Sequence, residues 1–126
     1  MSILVIAEHD NANLKGATLN TVAAAKEIGS DITLLVAGSD TASVIGEAQQ
    51  LNGITKILSC DNDLYKNSLA EELSNLVVSL ASSFSYILAP ATTFGKNLLP
   101  KVSAKLDVQQ ISDIISIESE DTFKRP

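Results

Sequence analysis

One cysteine, one histidine and no tryptophan leave this 126-residue chain with few chemically specialised side chains. Cys60 stands alone, which excludes an internal disulfide and a four-cysteine zinc site. A chain without disulfides suits a reducing compartment. Basic residues are in deficit as well: 9 Lys and Arg against 15 Asp and Glu, a net charge of −6. That sign opposes nucleic acid, whose phosphates reward Lys and Arg, and it opposes anionic membrane surfaces. No apolar run approaches the roughly 20 residues of a membrane-spanning helix, so no direct membrane insertion is expected. The start, Met1-Ser2-Ile3-Leu4-Val5-Ile6-Ala7, has neither the basic segment of a secretory leader nor an Arg-rich transit pattern. This favours a bacterial cytoplasm, or a mature organelle protein already trimmed. Hydrophobic residues reach 45%, which argues against intrinsic disorder, and the length is that of one domain.

What is present is an alternation of short β-rich runs with longer amphipathic ones. Continuous apolar runs at 3–7 and 32–37 read as strands buried on both faces. Shorter strands are expected at 56–60, 86–89 and 111–117. The helices are expected at 18–28, closed by Gly29, at 40–51, stopped by Asn52-Gly53, at 68–84 and at 98–106. In the third helix, Ser68 and Glu71 have capping-box spacing. Leu69, Leu73, Leu76 and Leu80 then form one helical stripe. Strand, helix, strand, repeated, predicts an α/β fold: an open, mostly parallel, Rossmann-like three-layer sandwich. The polar turn at 118–121 and the strand-like start Thr122-Phe123 at the very end point to a cut inside a longer chain.

In such sheets, ligands bind beyond the C-terminal ends of the strands. The loop Glu8-His9-Asp10-Asn11-Ala12-Asn13 has no G-x-G-x-x-G, and no P-loop motif occurs in the chain. Its acidity would repel phosphate. His9 is a potential proton carrier, but it reads better as a polar residue where a strand meets solvent. Cys60 reads as a small buried hydrophobe, since a reactive thiolate needs a positive neighbour and the next residue is Asp61. Glu8, Asp10, Asp61 and Asp63 could converge at adjacent strand ends, and such a cluster can hold Mg²⁺ as in a receiver domain. That class places a lysine after the fifth strand, 116–120 has none, and solvated loop carboxylates near helix N-termini are the plainer reading. The loop after the fourth strand carries Thr92, Thr93, Phe94, Gly95, Lys96 and Asn97 ahead of a helix. With Asn97 as N-cap, Pro100 falls in the first turn. The loop then either cradles an anion at a helix N-terminus or is an ordinary strand-to-helix turn.

Leu4-Val5-Ile6-Ala7-Glu8-His9, Thr18-Leu19-Asn20-Thr21 and Leu35-Val36-Ala37-Gly38 form one series of segments. Phe94-Gly95-Lys96-Asn97-Leu98-Leu99-Pro100-Lys101-Val102-Ser103-Ala104-Lys105-Leu106, Ile111-Ser112-Asp113-Ile114 and Thr122-Phe123-Lys124-Arg125-Pro126 continue it in order. Together the set resembles the electron transfer flavoprotein alpha subunit family. The resemblance implies an adenine nucleotide alpha hydrolase-like sheet. It implies a heterodimer with a beta subunit, one FAD, and electron transport in fatty acid beta-oxidation. Electrons would come from acyl-CoA and other dehydrogenases and go to a quinone oxidoreductase. It further implies that residues 1–126 are a single N-terminal domain, with the FAD-binding C-terminal domain absent. No catalytic or metal residue, and no cofactor, is then expected here. In the family, the beta subunit holds a structural AMP and the equivalent alpha site is degenerate. Thr92, Thr93, Phe94, Gly95, Lys96 and Asn97 are accordingly expected to be a contact loop or a relic nucleotide loop. With 4% aromatics and no tryptophan there is little to stack on a flavin or adenine ring. If the protein is eukaryotic, the expected compartment is the mitochondrial matrix. The competing reading is a free-standing adenine-nucleotide-binding domain of universal-stress type, but Gly95 lacks the further glycines that class needs.

Overall fold

A computed structural model describes residues 2–10, 13–62, 65, 70–84, 86–90, 92–106 and 115–118. Strands β1 (Ser2–Ile6), β2 (Asp31–Gly38), β3 (Lys56–Asp61), β4 (Tyr86–Ala89) and β5 (Ile115–Glu118) form one sheet. The helices α1 (Gly16–Ile28), α2 (Ala42–Ala48), α3 (Ala70–Leu80) and α4 (Thr93–Leu106) connect them, and a 3-10 turn, Ala81–Ser83, follows α3. The strand order is β3-β2-β1-β4-β5. The first three pairings are parallel, with Val5 opposite both Leu34 and Leu88. Only β5 runs antiparallel, pairing with β4.

The alternation of side chains along each strand sorts the core into two halves. Leu4, Ile6, Leu35, Ala37, Ile87 and Ala89 face α3 and α4, where Leu73, Val77, Leu98 and Val102 meet them. Ile3, Val5, Ile32, Leu34, Val36 and Leu88 face the other way, onto Val22 and Ala25 of α1 and Val44 and Ala48 of α2. Both faces being covered is what lets β1 and β2 read as unbroken apolar runs. Each fully buried Leu, Ile or Val contributes about 1.5–3 kcal/mol through area removed from water.

The expected open, mostly parallel three-layer sheet is the one observed, and local details differ from expectation for physical reasons. The second helix shrinks to Ala42–Ala48. Asp40 sits at φ 56°, outside helical space, and beyond Ala48 the amides of Gln50 and Leu51 bond three residues back rather than four. Gly29 closes α1 in extended rather than left-handed conformation, its amide bonding the Ala25 carbonyl. Along α3 and into the 3-10 turn the core line runs Leu73, Val77, Ala81, while Leu76 and Leu80 flank it half-buried. Of the described stripe leucines, only Leu73 lies on the packed line, which the smaller Val77 and, in the 3-10 turn, Ala81 continue. Leu69 and the Ser68 of the expected capping box lie outside the described residues, and the Glu71 carboxylate reaches Lys105 instead.

The fourth helix starts at Thr93, five residues before expectation. The Lys96 amide bonds the Thr92 carbonyl at 2.8 Å, so Thr92, not Asn97, holds the N-cap position. Pro100 is consequently inside the helix. Its missing N–H leaves the Lys96 carbonyl without an intrahelical donor, and Lys96 is exposed, where water can serve. The expected strand over 111–117 is described at Ile115–Glu118, and residues 111–114 and 119–126 lie outside the described residues.

Two substitutions test this packing by urea denaturation. Leu73→Ala costs about 2–5 kcal/mol, and Leu80→Ala, off the core line, costs clearly less; equal losses would restore the leucine stripe. Gly53 turns the chain at φ 93°, and a Cβ there would run into the stem of Lys26. Gly53→Ala is expected to lose about 1–2 kcal/mol.

Candidate functional site

The chain leaves β1 on one side to build β2 and β3, then returns on the other side to build β4 and β5. The strand order reverses at β1, so the crevice where an α/β sheet takes a ligand lies between the C-terminal ends of β1 and β4. Its walls are the loop after β1 and the junction from β4 into α4.

Glu8 occupies this crevice. Its main chain is held by Thr18, a fully buried residue in the first turn of α1. The Glu8 N–H donates to Thr18 Oγ1 at 2.9 Å, and that hydroxyl donates back to the Glu8 carbonyl at 2.9 Å. The Lys15 amide donates to the same carbonyl at 2.9 Å. The Glu8 side chain crosses to the other wall, where Thr92 Oγ1 donates to its Oε1 at 3.0 Å. The carboxylate thus sits at the N-terminal end of α4, a place that favours negative charge.

Of the residues singled out in the fourth-strand loop, Thr92 lines the crevice. Thr93, Phe94 and Gly95 form the first turn of α4, and Lys96 and Asn97 follow as exposed helical residues. The segment is a helix start rather than a loop. His9 departs from expectation more sharply. It is 7% exposed, and its Nε2–H donates to the Ala37 carbonyl at 2.7 Å. The chain turns back after His9, which bridges Leu14, and that turn carries the imidazole over the end of β2 instead of out to solvent. Cys60 is half-buried against the core.

Among the described residues the carboxylates do not gather. Asp10 Oδ1 accepts from the Asn13 amide at 2.7 Å, and Asp63 lies outside the described residues. Asp61, at the end of β3, accepts from the amides of Asp40 at 2.9 Å and Thr41 at 3.2 Å. It thereby ties down the left-handed turn that leads into α2. Those two amides, with the Thr41 hydroxyl adding to them, hold the Asp61 carboxyl below the usual carboxylate range. Among the described residues no three His, Cys, Asp or Glu side chains are grouped to hold a metal ion. Sequence reasoning missed three anchoring residues: Thr18, Thr92 as the partner of Glu8, and Glu47, whose Oε1 receives the Leu14 amide at 3.0 Å. Thr18 carried a signal, being a hydroxyl at a helix start. Nothing local marked the other two, whose partners lie 84 and 33 residues away.

A model of the family described as electron transfer flavoprotein domain matches residues 3–126. The electron transfer flavoprotein subunit alpha of Pseudomonas aeruginosa is 56% identical over all of this chain and 41% of its own length. The mitochondrial subunit alpha of Dictyostelium discoideum is 43% identical over 98% of this chain and 37% of its own length. That of Paracoccus denitrificans is 42% identical over 100% and 41%. The chain thus spans about two-fifths of the length of these curated relatives. The matched family does not favour the universal-stress alternative. Among the described residues, no helix is long and apolar enough to cross a membrane.

The Asp61 tie makes a prediction about acid stability. Its folded-state pKa lies below the unfolded value of about 3.8. Its stabilisation is therefore complete above that value and is lost as pH falls through the lower folded one. Asp61→Asn should be less stable than the native chain at neutral pH. The gap should close on acidification below about pH 4. A gap constant from pH 7 to pH 2, read by denaturant unfolding, would show that Asp61 contributes no charge-dependent stability.

Proposed function

The chain belongs to the electron transfer flavoprotein domain family, and on that premise we propose that it is the N-terminal scaffold and subunit-interaction domain of an electron transfer flavoprotein alpha subunit. The observation that carries this reading is the match across residues 3–126 together with relatives of whose own length the chain covers about two-fifths. In the whole protein the domain pairs with a beta subunit. FAD, held by the C-terminal part of the subunit, receives electrons from acyl-CoA and other dehydrogenases and gives them to a quinone oxidoreductase. This domain contributes position rather than chemistry: it is an electron-carrier part without catalytic residues of its own. It works in the cytoplasm of a bacterium or in the mitochondrial matrix of a eukaryote.

The arrangement at the sheet's C-terminal edge supports a structural role. Its carboxylates accept from the chain's own amides and hydroxyl groups. The segment from Thr92 to Asn97 serves on this reading as a contact surface at the start of α4, with the nucleotide role lost.

The test is flavin content. The 126-residue chain, purified from a flavin-replete host, should show no stoichiometric absorbance near 450 nm, a generic flavin band (about 450 nm). The complete subunit co-expressed with its beta partner should show it. A yellow 126-residue chain with one FAD per molecule would overturn the scaffold assignment.

A further inference from the structure

The connection from α2 into β3 carries Asn52-Gly53, the single asparagine–glycine pair in the sequence. Both residues are exposed, in a turn where Gly53 takes φ 93°. Among the described residues neither the Asn52 side chain nor the Gly53 amide has a hydrogen-bond partner. We propose that this turn is a site of spontaneous deamidation, which converts Asn52 to aspartate and isoaspartate, and that the isoaspartyl form loosens the β3 edge of the sheet.

The only co-reactant is water. The Gly53 backbone nitrogen gives up its proton to hydroxide and attacks the side-chain carbonyl carbon of Asn52. A C–N bond closes a five-membered succinimide, and the C–NH₂ bond breaks to release ammonia. Water then opens the ring at one of its two carbonyls. One opening leaves aspartate in an ordinary peptide link; the other routes the main chain through the side-chain carbonyl, as isoaspartate. Nothing is oxidised or reduced. Glycine suits the attack because no Cβ shields its nitrogen. The other described asparagines lack such a nucleophile. After Asn13, the Leu14 amide is committed to Glu47 Oε1 at 3.0 Å. Asn20, Asn75 and Asn97 lie inside α1, α3 and α4, where the next amide bonds one turn back. Asn62 precedes a residue outside the described ones.

Both ends of the turn are held. Before it, the Leu51 amide bonds the Ala48 carbonyl at 3.1 Å. After it, Thr55 is fastened to the start of β2. Its amide donates to the Ile32 carbonyl at 2.7 Å, and its Oγ1 donates to the Ser30 carbonyl at 3.1 Å and accepts from the Ile32 amide at 3.3 Å. The Lys26 stem covers Gly53 closely enough that a Cβ there would collide with it. Isoaspartate adds a backbone carbon to this short span, and the extra length has to be taken up by those contacts. Aspartate adds only a charge at an exposed position.

This inference does not rest on the flavoprotein reading; it needs neither flavin nor a partner subunit. The experiment ages the 126-residue chain in mildly alkaline native buffer, and in parallel in urea. Trypsin then releases residues 27–56, a peptide with no other asparagine. The mass gain of an amide exchanged for a hydroxyl is expected at Asn52 in both samples, with isoaspartate detected by an isoaspartyl methyltransferase. Asn52→Gln should lose the gain, because its side chain would have to close a larger ring. A native sample that stays unchanged while the urea sample converts would overturn the site, since the fold would then protect it. The aged native forms are next separated by charge and unfolded in urea beside Asn52→Asp. The isoaspartyl form should unfold at lower urea than Asn52→Asp, and equal midpoints would overturn the loosening.

Discussion

β1 is the strand on which the whole arrangement hangs. It pairs on both edges, to β2 and to β4, and Ile3, Leu4 and Val5 are inaccessible to solvent. Its side chains alternate between the two core halves, so one five-residue segment anchors both helical layers. Because the chain departs to one side of β1 and returns to the other, β1 also defines the crevice. Glu8 lies two residues past the strand's end. The main chain there is held by Thr18 and Lys15, and this aims the Glu8 carboxylate.

The acidic residues at this edge have a common physical logic. A carboxylate at the end of a parallel strand is close to helix N-termini, where backbone amides lack intrahelical partners. Asp61 answers the amides that lead into α2, and Glu8 answers the hydroxyl at the head of α4. In a nucleotide-binding relative of the same architecture, phosphate oxygens would accept such bonds. Here the Asp61 and Glu8 side chains, at the ends of β3 and β1, accept them. An edge of this kind suits a domain whose contribution is its shape.

The fold was legible because its signals were local. Buried parallel strands leave continuous apolar runs, and 3–7 and 32–37 show them; amphipathic periods mark the helices between. The departures have separate causes, one a local bond that starts a helix early and one a tertiary contact. Pro100 looks like a first-turn residue, yet α4 begins at Thr93 because the Lys96 amide finds the Thr92 carbonyl. His9 looks solvent-facing after a strand end, yet the turn to Leu14 folds it over Ala37. The sequence pointed to the C-terminal ends of the strands in general, and only the strand order singles out the ends of β1 and β4. That Glu8 would meet Thr92 depends on strand order, and no spacing within either loop encodes it.

α4 is held at both ends by polar contacts of different kinds, and their magnitudes separate their roles. At its C-terminal end Lys105 Nζ lies 3.0 Å from Glu71 Oε1, 2.9 Å from Ser74 Oγ and 2.6 Å from Asn75 Oδ1. Lys105 lowers the Glu71 carboxyl below its ordinary range by hydrogen bond and charge, and Lys101 adds to this. Glu71 is exposed, and an ion pair in that setting contributes little. The burial of Leu98 and Val102 against Leu73 and Val77 is worth several times more. Burial therefore holds α4 against the sheet, but apolar contact is non-directional. The three acceptors converging on Lys105, with Ser74 fully buried among them, fix the rotation and axial position of the helix. That rotation sets where Thr92 stands at the opposite end, one helix length away, and so whether its hydroxyl can reach Glu8.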